Sequence, residues 1–340
     1  MSKKGEMVMI PFAVFAIAAA VTVYAAVKLS VYADVISERT SLGGMMVGVL
    51  LLAGATSLPE VTTSTTAIIV GSPDIAVGNV LGSNLFNLLI LAVFDVVYRR
   101  RKLLAQIHSG HQLNAVAGLG LMGLVLVTIL VPTGVSVFGV GIETAALVLF
   151  YGLAMREMSA HERAVPEVAA AAEEDSAAAE FQGQNVTLRK AKRGFAISAA
   201  VIFASGSLLT VSGERIALIT GIDASFVGSF LIAAATSLPE VVTVLVALRL
   251  ANYNMAVGNI LGSNVFNMLI LVLADILFRS GPILAAVSPA IAVTALFAIM
   301  LNLIVIAHLL YARYSDRSRL YVVPSIVLIV VYFVATYVIF

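Results

Sequence analysis

Apolar residues run through this 340-residue chain in long stretches broken by short polar turns. A helix needs about 20 apolar residues to cross a bilayer. Runs of that order lie at roughly 8–32, 41–70, 74–98, 113–131, 135–155, 194–213, 221–249, 252–278, 283–310 and 320–340. The pattern predicts an all-α polytopic membrane protein with ten transmembrane helices. Five precede and five follow a polar stretch at 159–193, which holds His161, Glu162, Arg163, Glu173, Glu174, Asp175, Arg189, Lys190, Lys192 and Arg193. Rich in alanine and charge, that stretch predicts a linker or a solvated helix. The expected division is 1–158, 159–193 and 194–340. Lys3 and Lys4 precede the first apolar run as in a signal peptide, but the run is too long for one and is expected to be the first span.

Two stretches are near-copies at a constant offset of 180 residues. Residues 53–95 contain ATSLPEV and then AVGNVLGSNLFN; residues 233–275 contain ATSLPEV and then AVGNILGSNVFN. Without a gap, 24 of 43 aligned positions are identical, so Glu60 matches Glu240, Ser83 matches Ser263, Asn87 matches Asn267 and Asp95 matches Asp275. Polar groups at membrane depth are costly and usually functional. Their duplication in a membrane chain points to a repeat-built transporter.

Composition agrees. The chain is 61% hydrophobic and 11% charged, with a mean hydropathy of +1.05. It has no cysteine, which excludes disulfides, thiolate metal sites and cysteine nucleophiles. The net charge of +1 hides a strong asymmetry. Numbering the loops alternately places 15 Lys and Arg residues on one side and 4 on the other. Positive charge marks the cytoplasmic face, so both termini are expected outside and the 159–193 loop inside. Five spans per half is an odd number, so the halves should be inverted, related by a two-fold axis in the membrane plane. That operation brings the second and third spans against the seventh and eighth.

The chemistry lies in the duplicated motif. Pro59 lacks an N–H and its ring clashes with the preceding turn, so the helix should break there and free carbonyls around 53–55. In lipid, freed groups must find protein, water or an ion. Thr56, Ser57 and Glu60 share one face at helical spacing, as do Ser83 and Asn87. Thr236, Ser237, Glu240, Ser263 and Asn267 repeat the set. These ten side chains offer oxygen ligands alone: two carboxylates, two amide carbonyls and six hydroxyls. Hard cations such as calcium take about 6–8 oxygens, and no soft donor is present for zinc or copper. Two carboxylates balance one divalent ion. When the site is empty their mutual repulsion makes protons alternative occupants.

Other polar positions read more plainly. Asn79, Asn84, Asn259 and Asn264 suit either ion contact or hydrogen bonds between helices. Gly78 with Gly82, and Gly258 with Gly262, suit close helix packing. Asp95 and Asp275 sit near span ends and are expected to be solvated or capping. His108, His111 and His161 lie in loops and His308 near a span end, without metal-like spacing. Thr63 and Thr243, alike in both copies, are weak candidates for a water-accessible path.

The paired motifs resemble the calcium/cation antiporter superfamily, and most closely its sodium/calcium exchanger family, including prokaryotic members. TSLPE and GNxxGSNxFN look like that family's α-repeats. The resemblance implies inverted five-helix repeats, with eight helices as a core and the first and sixth as a sliding pair. It implies calcium exchange against sodium or protons by alternating access. It also implies ion ligation by the ten side chains above, with backbone carbonyls near Ala53 and Ala233 added for sodium. Well-known relatives carry aspartate where this chain has Asn267, so site charge here is −2 at most, which bears on stoichiometry. The other departure is Ala55 and Ala235, where glycine is common.

The expected function is therefore a secondary antiporter in the cell membrane, moving Ca2+ in exchange for Na+, with H+ coupling as the alternative and a passive cation channel more remote. No enzyme activity, cofactor, nucleic acid or protein partner is indicated. Intramembrane protease and metallopeptidase motifs are missing from the sequence.

Overall fold

The computed structural model describes residues 3–38, 54, 56–107, 110–164, 186–249, 251, 253–314 and 321–340. Its long helices are α1 (Lys3–Glu38), α2 (Leu58–Ile69), α3 (Pro73–Val97), α4 (Gly110–Leu130), α5 (Ile142–Ala164), α6 (Leu188–Thr220), α7 (Leu238–Arg249), α8 (Tyr253–Leu277), α9 (Pro289–Tyr314) and α10 (Val323–Ile339). Among the described residues, seven helical stretches are long and apolar enough to cross a membrane: Met9–Leu29, Pro73–Val97, Gly110–Leu130, Leu188–Thr220, Ala224–Arg249, Tyr253–Leu277 and Pro289–Ala312. Val323–Ile339 is apolar but shorter. The start of the expected second span, 41–53, lies outside the described residues, as does most of the 159–193 segment.

Two of the expected spans differ in kind from the sequence reading. Residues 135–141 do not begin a helix; Ser136–Val137 pairs antiparallel with Val140–Gly141 around Phe138 and Gly139, both at positive φ. The chain must reverse there before α5, and a two-residue ribbon turn does so. Likewise 283–310 is two helices, Ile283–Ala286 and α9, because Pro289 lacks the N–H needed to carry the first one on.

Helices α3 and α8 occupy the centre. The fully buried Leu81, Leu85 and Leu88 of α3 and Val257 and Ile260 of α8 belong to one apolar core, with α4, α9 and α10 packed around it. α1 lies mainly along α6, at the edge. The segment before α7 approaches α3 very closely. A Cβ on Gly82 would stand 2.0 Å from the carbonyl oxygen of Ser229, and one on Gly228 would stand 2.8 Å from Cα of Ile75. Only glycine allows this backbone-to-backbone approach, as expected for Gly82. The counterpart of Ser229 in the first copy, Val49, lies outside the described residues.

Candidate ion-binding site

Both TSLPE motifs break their helices at the serine. Ser57 stands at φ −85°, ψ 7° before α2, and Ser237 at φ −87°, ψ 4° before α7. Pro59 and Pro239 are therefore first-turn residues, where a missing N–H does no harm. The same break puts Glu60 and Glu240 in the first turn of a helix. Unpaired N–H groups and the helix dipole favour negative charge there. In the second copy a π-helical stretch, Val227–Ile232, and the short helix Ala233–Thr236 lead into the break.

All ten predicted side chains are buried: Thr56, Ser57, Glu60, Ser83, Asn87, Thr236, Ser237, Glu240, Ser263 and Asn267. The fold brings residues of the two copies together. Oε1 of Glu60 accepts hydrogen bonds from Ser83 in its own copy at 3.4 Å and from Ser237 in the other at 3.3 Å. Ser83 and Thr236 hydroxyls meet at 3.4 Å. Glu60 and Glu240 lie within reach of each other's charge. The backbone position expected in the first copy, Ala53, lies outside the described residues. The carbonyl of Ala233 already accepts from Ser237 N at 3.0 Å and Thr236 Oγ1 at 3.2 Å. The carbonyl that Pro239 deprives of a donor is four residues earlier, at Ala235.

Six buried oxygens of this cluster have no hydrogen-bond partner among the described residues: Ser57 Oγ, Glu60 Oε2, Asn87 Oδ1, Glu240 Oε2, Ser263 Oγ and Asn267 Oδ1. Leaving a buried polar atom unsatisfied costs about 1–3 kcal/mol, more for a charged group. Oxygens left open together, two of them on carboxylates, suit a dehydrated hard cation. The cluster is not perfectly symmetric. Ser83 and Ser237 engage Glu60, whereas the hydroxyls of their counterparts Ser263 and Ser57 have no partner among the described residues.

Four asparagines cross between α3 and α8 and orient the amides. Asn87 Nδ2 donates to Oδ1 of Asn264, and Asn267 Nδ2 to Oδ1 of Asn84, both at 2.9 Å. Asn84 Nδ2 donates to the Asn264 carbonyl at 3.2 Å, and Asn264 Nδ2 to the Asn84 carbonyl at 3.3 Å. Each contact is repeated with the copies exchanged, the mark of a local two-fold. Asn79 and Asn259 also serve structure. Asn79 Nδ2 donates to Thr63 Oγ1 at 2.8 Å, and Thr63 Oγ1 to the Glu60 carbonyl at 3.1 Å. Asn259, Thr243 and Glu240 repeat this. Thr63 and Thr243 thus brace the motif backbone.

Asp95 and Asp275 are not solvated; both are buried and hydrogen-bonded. Asp275 accepts from Gly141 N, Thr144 Oγ1 and Ile283 N, the last within the short helix that follows α8. Asp95 accepts from Tyr321 and Ser325. His308 is not at a bland span end: it is buried within α9, with Nε2 4.0 Å from Asp95 Oδ2. His108 lies outside the described residues, and His161 is described in its backbone alone. The sequence reading missed the π-helical stretch, for which no residue gives a signal, and the asparagine crossing, for which the paired Asn at 180-residue offset was a signal left ambiguous.

The family model described as sodium/calcium exchanger protein matches residues 10–156 and 191–340. A putative antiporter, CaxA of Alkalimonas amylolytica, is 27% identical over 267 residues, covering 75% of this chain and 76% of that protein. The inner membrane protein YrbG of Escherichia coli is 25% identical over 266 residues, covering 77% and 78%. Among solved structures, the sodium-calcium exchanger NCX_Mj soaked with 100 mM Na+ and 10 mM Sr2+ is 19% identical with a TM-score of 0.57, covering 96% of this chain and 98% of its own. The H+/Ca2+ exchanger CAX is 14% identical with a TM-score of 0.62, covering 97% and 88%. With its family model spanning both halves and its fold shared with solved exchangers, this integral membrane chain belongs to the sodium/calcium exchanger family.

Proposed function

We propose that this chain is a secondary antiporter that moves Ca2+ across the membrane in exchange for Na+, by alternating access around one central site. The ligands are Thr56, Ser57, Glu60, Ser83 and Asn87 with Thr236, Ser237, Glu240, Ser263 and Asn267. The observation that carries this reading is the group of six buried, unpartnered oxygens drawn from both copies. The architecture proposed with it is ten spans in two inverted five-helix halves, 1–158 and 194–340. The linker at 159–193 is cytoplasmic and both termini are outside. The α1–α6 pair slides against the remaining helices.

Coupling follows from charge. Two carboxylates without a counter-ion cannot cross the low-dielectric barrier, whereas the neutralised site can. Calcium neutralises it in one direction and sodium ions in the other. Three sodium ions per calcium would move one net charge, worth about 2.3 kcal/mol per 100 mV. Two would be electroneutral.

A second reading replaces Na+ with H+ on Glu60 and Glu240. It is favoured by amides rather than carboxylates at 87 and 267, and by the fold shared with an H+/Ca2+ exchanger. Calcium uptake into proteoliposomes at clamped voltage, under a sodium gradient and then under a proton gradient, separates the two. Uptake that needs neither gradient would mean a channel. Glu60→Gln and Glu240→Gln are each expected to abolish exchange; full activity in either rules out a two-carboxylate site.

A further inference from the structure

The duplicated aspartates Asp95 and Asp275 have diverged in their surroundings. Asp275 is held by two backbone N–H groups and a threonine hydroxyl. Asp95 accepts one backbone N–H, that of Leu104 at 3.5 Å, and the hydroxyls of Tyr321 and Ser325, and in addition faces an imidazole, that of His308 on α9. The position 180 residues before His308 is Thr128, whose hydroxyl simply bonds back to the Leu124 carbonyl. The histidine thus has no counterpart at that offset, and it is not among the proposed ion ligands.

The hydrogen-bond directions decide where protons sit. Tyr321 donates to Asp95 Oδ1 at 2.7 Å and accepts from Leu104 N. The Ser325 hydroxyl has one proton, and it goes to Asp95 Oδ2 at 2.7 Å. The 3.2 Å contact between Ser325 Oγ and His308 Nδ1 must then have Nδ1–H as donor. In a neutral ring that leaves the Nε2 lone pair facing Asp95 Oδ2 at 4.0 Å, acceptor against acceptor. Among the described residues Nε2 has no other partner. A proton on Nε2 turns the mismatch into an imidazolium–carboxylate pair.

Among the described residues, the titratable groups facing the imidazole are Asp95 from α3 and Tyr321 from the lead into α10. Tyr321 packs its ring edge-on at 5.1 Å. Leu91, Ala92, Leu104, Ile304, Val305 and Leu328 close the surroundings around a cavity of about 10 Å³, room for no more than one water. Little solvent screens the pair.

We infer that Asp95 and His308 form a proton-binding site separate from the cation site, and that its loading fastens α9 and α10 to α3. Asp95 lies eight residues, about 12 Å, beyond Asn87 on the same helix, so the proton acts on the helix that carries Ser83 and Asn87. In the proposed topology the pair lies toward the cytoplasmic face.

Histidine-labelled full-length protein, followed by NMR against pH, tests this directly. The chain has four histidines, and the His308 signal is assigned by its loss in His308→Gln. It is expected to titrate, and in Asp95→Asn its midpoint is expected to fall by about one pH unit or more, because an opposite charge has gone. In proteoliposomes, calcium flux is expected to respond to pH on the basic-loop side, and His308→Gln to flatten that response while leaving the response on the other face. An imidazole that stays silent between about pH 5 and 9, or a midpoint unmoved in Asp95→Asn, overturns the site. The NMR titration needs no transport, so it stands whichever counter-ion is exchanged.

Discussion

Asn87 gives its amide N–H to Oδ1 of Asn264 at 2.9 Å, across the junction between the two copies. With its nitrogen fixed there, its oxygen is left open in the buried cluster. Asn267 and Asn84 reproduce the arrangement. The amide is thus two-ended: its nitrogen joins the two copies and its oxygen stays open.

An aspartate at 267 would lose the donor and set a carboxylate oxygen against Oδ1 of Asn84. Asn267→Asp is expected to lower ion-free thermal stability, by about 1–2 kcal/mol for one interhelical hydrogen bond turned repulsive. Tm measured with and without calcium checks this. Recovery of stability in Asn84→Asp/Asn267→Asp would count against the donor argument.

Loss of either carboxylate should be visible without transport. A ligand present at 100 times its Kd stabilises a folded protein by about 2.7 kcal/mol. Glu60→Gln and Glu240→Gln are expected to lose the calcium-dependent rise in Tm while remaining folded. Neutral residues at these buried positions lower the desolvation cost, so both variants should match or exceed the ion-free stability of the parent.

Gly82 meets the backbone of Ser229 with no space for a methyl group. Gly82→Ala is expected to destabilise by about 1–3 kcal/mol, the usual cost of overpacking. Monodispersity and Tm in detergent measure it. A Tm equal to the parent's would mean that α3 and the π-helical stretch can separate without cost.

Asp275 bonds two backbone N–H groups and a hydroxyl, away from the open oxygens. Asp275→Ala leaves those donors buried and is expected to cost about 3 kcal/mol or more. Calcium affinity below the melting transition should be unchanged. A large loss of affinity without loss of Tm would place Asp275 in the ion path instead.

The linear pattern was enough to reveal a membrane protein, the duplicated motif and the polar side chains that the fold buries. Hydrophobicity has no alternative explanation at such density, and a carboxylate beside proline in an apolar run is too costly to be incidental. The helix breaks at 57 and 237 were legible for the same reason, since proline's missing N–H is a local fact. Element ends were less so. The ribbon at 136–141 lies where apolar residues continue past a change of structure, and α6 is longer than expected because its helix continues into charged residues, Arg189 to Arg193 at one end and Glu214 and Arg215 at the other.

What the sequence could not decide is which polar groups find each other. Asn79, Asn84, Asn87 and their counterparts look alike in one dimension. Packing of α3 on α8 makes Asn84 and Asn264 braces and leaves Asn87 and Asn267 with open oxygens. His308 and Asp95 are 213 residues apart in the chain, and only the packing of α9 against α3 makes them a pair. Composition and periodicity are properties of the chain alone. Hydrogen-bond partnership and burial depend on long-range contact, and tertiary structure alone supplies that.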